Sequence, residues 1–299
     1  MANDPSLFIV IPVHNRKTYT KECLESLRQQ TLKNFKVVII DDGSSDGTSE
    51  MIQKEFPDVI LRQGDGNLWW TGATNLGVQY ALERGADYVI TLNNDTVATQ
   101  DFVEKMCSWA VEKPKALMGA LALDIRTNEA VYGGEILSWC RARGWRLLEQ
   151  LKPEERKGLH RVTHFPGRGL WIPVEVFKKV GLFDARHFPM TSADYDFTHR
   201  AVRAGYEIYC NYDSRICIHV DASTASLYRS EFSLRNYMRY LTDIRSAGNL
   251  KYFIFYVLRN CPVPCIPMYI ILGLGVLIFG YPFHWLRSKL SGSPKSRIS

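Results

Sequence analysis

The sequence has no Cys-x-x-Cys pair and no metal-finger spacing among its seven cysteines. This argues against a structural zinc site and for reduced thiols in a cytosolic chain. Cys261 and Cys265 bracket prolines and mark no zinc site either. It has no internal repeat and no low-complexity tract, which excludes repeat architectures. Near the N-terminus the apolar run Phe8-Ile9-Val10-Ile11 is too short for a signal peptide and meets Pro12 at once, so the chain is expected to start in the cytosol. Acidic residues are scarce at the other end. Residues 226–299 hold ten Lys/Arg against two Asp/Glu, so the formal charge of +6 leaves −2 for the first 225 residues. The basic character belongs to the tail. What is present is ordinary globular composition, 46% hydrophobic and 23% charged over 299 residues, enough for one large domain or one domain with an appendage.

Leu7 to Ile11 is a continuous β-branched and apolar run, the kind found in strands covered on both faces, and Pro12-Val13-His14-Asn15 ends it. Tyr19, Cys23, Leu24 and Leu27 share one helical face between Tyr19 and Gln30. A second buried strand, Lys36 to Ile40, ends in Asp41-Asp42-Gly43-Ser44-Ser45-Asp46-Gly47-Thr48. Strand, helix and strand with short links predict a right-handed βαβ unit, so both strand ends open onto one edge of the sheet. A helix near Thr48 to Phe56 and a short strand at Val59-Ile60-Leu61 lead into a loop rich in glycine and aromatics, Gly64 to Gly72. A helix from about Ala73 to Arg84 stops at Gly85. It is expected to carry Asn75 and Gly77 in its first turns, where backbone N–H groups face the crevice.

Tyr88 to Leu92 is a further strand, ending in Asn93-Asn94-Asp95-Thr96. In open α/β sheets ligands sit outside the carboxyl ends of strands, which places Asp95 to hold one; the same residues also make a plain turn. A helix to about Glu112 and a strand from Ala116 to Leu123 follow. Asp124 to Val162 carries little periodic signal, and its Arg141, Arg143 and Arg146 fit either a solvated surface or an anionic acceptor. Phe165 to Pro173 reads as a Gly-rich turn into a strand, Val174 to Val180 as a helix, and Ser192-Ala193-Asp194-Tyr195-Asp196-Phe197 as the start of a helix reaching Ala204. Tyr206 to Cys210 and Ile216 to Val220 read as two short strands, the last bearing His219.

The run Ile11-Pro12-Val13-His14-Asn15, the acidic turn Asp41 to Thr48, the strand end Asn93-Asn94-Asp95 and the later Asp194-Tyr195-Asp196 together resemble family 2 glycosyltransferases with the GT-A fold. The similarity spans about residues 5–222. The Asn-Asn-Asp version with Trp-Trp-Thr-Gly upstream looks most like bacterial rhamnosyltransferase-type enzymes of surface-polysaccharide assembly. The resemblance implies a Rossmann-like, mostly parallel sheet flanked by helices. It further implies inverting transfer of a sugar from a UDP- or dTDP-linked donor to a hydroxyl of a glycan or lipid-linked acceptor, with no nucleic-acid partner.

By that resemblance Asp95 matches the last acid of the family's DXD motif and would bind Mg²⁺ or Mn²⁺, hard cations that prefer carboxylate and phosphate oxygen. Asn93 departs from the pattern where the first acid often stands, which implies a metal held mainly by Asp95 and the diphosphate. Asn94 lies beside it in the donor site. His219 matches a histidine that can complete the metal or diphosphate site, and a core role stays equally open. Asp42 would accept from N3–H of a uracil or thymine; its local reading is an Asx-type turn over Gly43. Pro12, His14 and Asn15 would flank the same base, with Asp41 more structural. Asn67, Asn75 and Gly77 belong to a donor-lining region, while Trp69 and Trp70 fit either a sugar platform or the core. Asp194 matches the general base, which takes the acceptor's proton as its oxygen attacks the anomeric carbon. Ala193 departs from the usual Glu before it, and Ser192 or Asp194 capping the helix is the alternative; Asp196 reads as a cap. Arg168 and Gly169 sit where relatives shape the sugar or acceptor pocket.

In the tail, Phe232, Leu234, Tyr237, Met238, Tyr240, Leu241 and Ile244 alternate with Arg235, Arg239 and Arg245, a basic amphipathic pattern suited to an anionic lipid surface or to packing on the body. Cys261 to Phe283 is 23 residues without a formal charge, long enough to span a bilayer core of about 30 Å. Lys251 and Arg259 flank it on one side and Arg287, Lys289, Lys295 and Arg297 on the other, while Pro262, Pro264, Pro267, Gly273 and Gly275 could break it. A span, a re-entrant anchor and a buried core segment stay open. The expected division is 1–225 catalytic, 226–260 basic and helical, and 261–299 a membrane anchor with a basic tail, at the cytoplasmic face of a membrane. A sugar nucleotidyltransferase would show a glycine-rich loop with Arg after the first strand, and Pro12-Val13-His14-Asn15 stands there instead. A processive synthase would carry Gln-x-x-Arg-Trp, which is missing. A catalytically inactive nucleotide-sugar-binding or scaffold protein is the alternative kept open by Asn93 and Ala193.

Overall fold

The computed structural model describes residues 5–220 and 233–290. In chain order the first half runs Leu7–Val13 (β1), Lys17–Arg28 (α1), Lys36–Asp41 (β2), Thr48–Glu55 (α2), Ile60–Gln63 (β3), Trp69–Glu83 (α3), Tyr88–Thr91 (β4), Thr96–Ala98 (β5), Phe102–Glu112 (α4) and Leu117–Asp124 (β6). It continues through Ala130–Tyr132 (β7), Glu135–Ser138 (β8), Arg143–Arg146 (β9), Leu147–Gln150 (α5), Leu159–Arg161 (β10), Leu170–Pro173 (β11), Val174–Val180 (α6), Ala193–Arg203 (α7) and Ile208–Ile218 (β12). Leu234–Thr242 (α8), Leu250–Asn260 (α9) and Ile266–Leu290 (α10) follow.

β1 is buried along its whole length, as an apolar strand without polar alternation must be. It lies parallel to β2 on one side and to β4 on the other. The sheet order is β10-β12-β6-β11-β4-β1-β2-β3, with β5 beside β12 and β7 beside β6. β11 runs antiparallel to both β4 and β6. The core lies where Ile9, Ile11, Ile39, Ile52, Phe102, Met106 and Trp171 pack together.

Three local expectations change. α3 begins at Trp69, so Asn75 and Gly77 lie in its second and third turns, where their N–H groups belong to the helix ladder. The two short strands at 206–210 and 216–220 are one strand, β12, whose pairing with β6 shifts between Asn211 and Arg215. The irregularity broke the apolar alternation and made one element read as two. Cys140 and Cys265 are joined as a disulfide across 125 residues, where free thiols were expected; linear spacing holds no trace of a pairing made only by the folded chain. Cys23, Cys107, Cys210, Cys217 and Cys261 are free.

By contacts the chain forms two units. One comprises 1–137 and 144–220, and the other comprises 138–143 and 221–299, so the segments expected separately as 226–260 and 261–299 group together. Phe232, Lys295 and Arg297 lie outside the described residues. Within the second unit, Ser233 and Asn249 cap α8 and α9 through their side-chain oxygens. Phe253 of α9 fills the space beside Gly273 of α10. α10 continues through Gly273 and Gly275 with Pro282 inside it. Val263–Gly280 is long and apolar enough to cross a membrane, with mean hydropathy 2.2, and only 6% of it is buried.

Gly77 is what lets α3 approach β1. A Cβ there would stand 2.4 Å from Val10 Cγ1 and 3.3 Å from Ile40 Cγ1, both on core strands. Gly77→Ala is expected to lower the unfolding free energy by about 1–3 kcal/mol through overpacking, read as a lower urea midpoint. An unchanged midpoint would contradict this packing.

Candidate functional site

The register of the parallel strands carries two acidic turns to one edge. Asp41 and Asp42 leave the end of β2, and both are buried. Asp41 makes the local turn: Oδ1 accepts from Ser44 N at 2.9 Å and Oδ2 from the Ser49 hydroxyl. Asp42, for which an Asx-type turn over Gly43 was the local reading, instead reaches across to the next loop. Its Oδ1 accepts from Gly66 N at 2.8 Å and its Oδ2 from Trp69 N at 3.0 Å, with Trp69 held at φ +55°. His14 Nδ1 lies 2.5 Å from the Asp42 carbonyl oxygen; a carbonyl only accepts, so Nδ1 carries the hydrogen. Pro12 pairs with Ile40 inside the sheet. Asn15, at φ +58°, donates its N–H to Ser44 Oγ at 2.6 Å and accepts from Ser45 N at 3.0 Å. Pro12, His14, Asn15 and Asp42 are therefore brought together. Asn67 sits exposed on the loop over them, its N–H bonded to Asp65 Oδ1 at 2.8 Å.

The second turn follows β4. Asp95 Oδ2 pairs with Arg16 Nη1 at 2.8 Å, and the Asp95 side chain is 22% exposed. Sequence reasoning passed over Arg16, whose pairing depends on its left-handed backbone at φ +64°. Asn94 Nδ2 donates to Thr20 Oγ1 at 3.0 Å, anchoring the turn to α1. Asn93 Oδ1 accepts from Trp70 Nε1 at 2.9 Å. His219 Nε2 faces Glu22 Oε2 at 3.0 Å, with its ring edge-on to Tyr19. Among the described residues no three His, Cys, Asp or Glu groups converge as a metal site. The residues present fit a hard cation that takes one carboxylate from the protein at Asp95 and further oxygens from a bound diphosphate.

Asp194 enters from α7. Its Oδ2 accepts from Gly167 N at 2.9 Å and its Oδ1 from Tyr195 N at 2.9 Å. Burial pushes its carboxyl above the usual range, opposed by those two N–H groups and by the Arg168 charge. Ser192 stands at the N-cap position without a side-chain cap bond. Asp196, read as a cap, is fully buried and pairs with Arg200 at 2.8 Å; that guanidinium also donates to the carbonyls of Leu182 and Val180. Arg168 lies over the Tyr132 ring at 5.9 Å, and its Nε is buried without a hydrogen-bond partner. Gly169, at φ +70°, donates its N–H to Thr91 O at 2.8 Å. Asn75 spends its amide on both backbone groups of Phe183, at 2.8 and 3.0 Å, so it and Gly77 serve the scaffold.

The segment that carried little signal supplies Tyr132 and Glu135 beside Tyr195. Burial pushes up the Tyr132, Tyr195 and Glu135 groups. Beneath them His164 stacks on His199 at 5.1 Å and meets Tyr195 edge-on at 4.7 Å. Burial lowers the His164 pKa to about 4. His199 falls to about 3, from burial first and then from the His164 and Arg203 charges.

A family model described as glycosyl transferase family 2 matches residues 8–181. A glycosyltransferase of Streptococcus pneumoniae serotype 4, GlyA, is 33% identical over 115 residues, 38% of this chain and 16% of that protein. An uncharacterized glycosyltransferase of Rickettsia typhi is 26% identical over 198 residues, 60% of this chain and 54% of its own length. The chain thus spans from about a sixth to about half of these relatives. Among solved structures, a mannosyltransferase from Pyrobaculum calidifontis in complex with GDP-Man and Mn²⁺ superposes with TM-score 0.61 at 15% identity, covering 98% of this chain and 77% of that one. This establishes the GT-A fold.

The two buried histidines give stability a pH dependence. Their folded pKa values lie below the unfolded value, so below about pH 6.5 the unfolded chain binds protons that the folded chain refuses. Their contribution is full above that pH and is lost as pH falls toward 4 and 3. Urea unfolding should weaken by about 2 kcal/mol per histidine between pH 6.5 and 5. His199→Leu should remove about half of that slope; an unchanged slope would place the titration elsewhere.

Proposed function

Because this chain belongs to glycosyl transferase family 2, we propose that it transfers a sugar from a nucleoside diphosphate donor to a hydroxyl of a glycan or lipid-linked acceptor, with inversion at the anomeric carbon. The observation that carries this reading is the convergence on one sheet edge of Asp42, Asp95 and Asp194, three carboxylates in three different environments. Asp194 is held by backbone N–H groups with its pKa raised by burial, which suits a base working near neutral pH. It would take the acceptor's proton as that oxygen attacks from the face opposite the diphosphate; no covalent intermediate on the protein is needed. Asp42 would accept from N3–H of a uracil or thymine, using carboxylate lone pairs not taken by Gly66 and Trp69, so the donor is UDP- or dTDP-linked, with rhamnose the sugar that the motif resemblance favours.

Asp95 would hold Mg²⁺ or Mn²⁺ with the diphosphate, and the cation would neutralise the leaving group as a Lewis acid. The Mn²⁺ in the mannosyltransferase neighbour supports a divalent ion here. Arg16, which pairs with Asp95 here, would turn toward the phosphates once a cation takes that carboxylate. His219 would join the site only by leaving Glu22.

We further propose attachment at the cytoplasmic face of a membrane through α10, whose Ile271, Val276, Phe279 and Phe283 are exposed. Exposed apolar side chains in this number need a cover, and a bilayer suits a lipid-linked acceptor in cell-surface polysaccharide synthesis.

In calorimetric titration, UDP or dTDP should bind at least tenfold more tightly with Mn²⁺ than without, and Asp95→Ala should abolish that difference, about the effect of losing one strong metal contact. Nucleotide affinity indifferent to both would remove the metal site. Asp194→Asn should bind nucleotide as the unaltered chain does while losing transfer; surviving transfer would remove the base. Attachment is read by flotation with vesicles of phosphatidylglycerol and phosphatidylcholine. The full chain should float, and Leu272→Glu with Val276→Glu should leave it behind.

A further inference from the structure

Asn93 stands where a second acid would stand, and its oxygen is committed. Trp70 Nε1 on α3 donates to Asn93 Oδ1 at 2.9 Å, and a partly buried indole N–H needs such an acceptor. An amide supplies it without placing a second negative charge two residues from Asp95. The bond fixes the indole in one orientation, since the Trp70 ring also meets Phe183 edge-on at 5.6 Å. The ring lies directly on the backbone of residue 167. A Cβ at Gly167 would come within 2.4 Å of ring atoms Cζ2 and Cη2, so only glycine allows this approach.

Residue 167 is clamped from both sides. Its carbonyl accepts from Thr91 Oγ1 at 2.6 Å, at the end of β4, and its N–H donates to Asp194 Oδ2 at 2.9 Å. A continuous path therefore runs from the turn that bears Asp95, through an indole, to the peptide that aims the carboxylate of α7.

We infer that Trp70, anchored by the Asn93 amide, is a positioning residue that seats the Gly167 N–H on Asp194 and so fixes the direction of that carboxylate. This rests on Asp194 as the base of the proposed reaction. Asn93 is then an indole anchor rather than a vestige of a metal ligand, and the strand-end turn does two tasks: Asp95 faces the donor and Asn93 aligns the base. A charge-bearing acceptor oxygen, once aimed by a backbone N–H, loses catalytic efficiency quickly when displaced.

The test is a titration of Asp194 in the full chain labelled with ¹³C-carboxyl aspartate, its resonance identified by its loss in Asp194→Asn. Trp70→Phe keeps a ring against Gly167 and deletes the N–H; Asn93→Leu deletes the acceptor. Each should raise the Asp194 midpoint by about half a pH unit or more, because a donor to the charged form is loosened. The double variant should show no larger shift than either single one, since both remove the same bond. In turnover, each should lower kcat about tenfold with donor KM unchanged. Unshifted or additive midpoints, in variants whose melting curves match the unaltered chain, would overturn the positioning role. If Asp194→Asn retains transfer while the midpoints still shift together, the base assignment fails and the coupling stands.

Discussion

A strand buried on both faces has no freedom of register, because a slip of one residue would exchange every side chain between the two packed layers. Leu7–Val13 is such a strand, and its neighbours inherit the constraint. Val13 is aligned with Asp41 and Val10 with Thr91, so both adjoining strands end at the same edge. β11 enters antiparallel with Leu170 opposite Thr91, which delivers Gly167, Arg168 and Gly169 there as well. Three segments far apart in sequence thus meet because one strand cannot move. Gly77 strengthens the constraint by letting a helix lie against Val10.

The polar groups at that edge are ordered by the cost of leaving buried carboxylates without donors, about 1–3 kcal/mol or more for each unsatisfied group. Asp41 closes its own turn and Asp42 holds the loop from Gly66 to Trp69. Both acids serve as scaffolding. A pyrimidine N3–H reaching Asp42 must share its oxygens with two backbone donors or displace one of them, and either outcome couples base recognition to the loop that leads into α3. Trp70 follows directly on that loop, so the base end and the sugar end of the proposed donor site would be joined through the first turn of one helix.

The fold was legible because its strands are apolar runs with nothing polar to misread: β1, β2, β4 and β6 stand where their sequences put them. The acidic turns were legible because carboxylates following such runs have few other places to go. What the sequence concealed has a common cause. Arg16 finds Asp95 across 79 residues, Trp70 finds Asn93 from another element, and Cys140 finds Cys265 across 125 residues; each depends on packing that no local pattern encodes. Asn75 misled because helix entry was placed after the glycine-rich stretch, whereas two tryptophans and Thr71 already belong to the helix, and Thr71 donates to the Phe188 carbonyl. Tyr132 and Glu135 were invisible because β7 and β8 are short strands with no alternation, recruited to the site by their neighbours.

In the proposed reaction Asp95 and Asp194 would do opposite chemistry with the same side chain. Asp95 is partly open to solvent and faces a guanidinium that a cation or a phosphate can displace, so its pairing is open to exchange. Asp194 is half-buried, with burial working against its charge and two backbone N–H groups working for it. The balance between those effects sets when the carboxylate gains a proton, and one of the two N–H groups belongs to a glycine pressed between Thr91 and an indole. A metal ligand tolerates replaceable partners, whereas a base needs a fixed direction. The environments differ in that sense, and it is environment rather than residue type that would assign the two proposed roles.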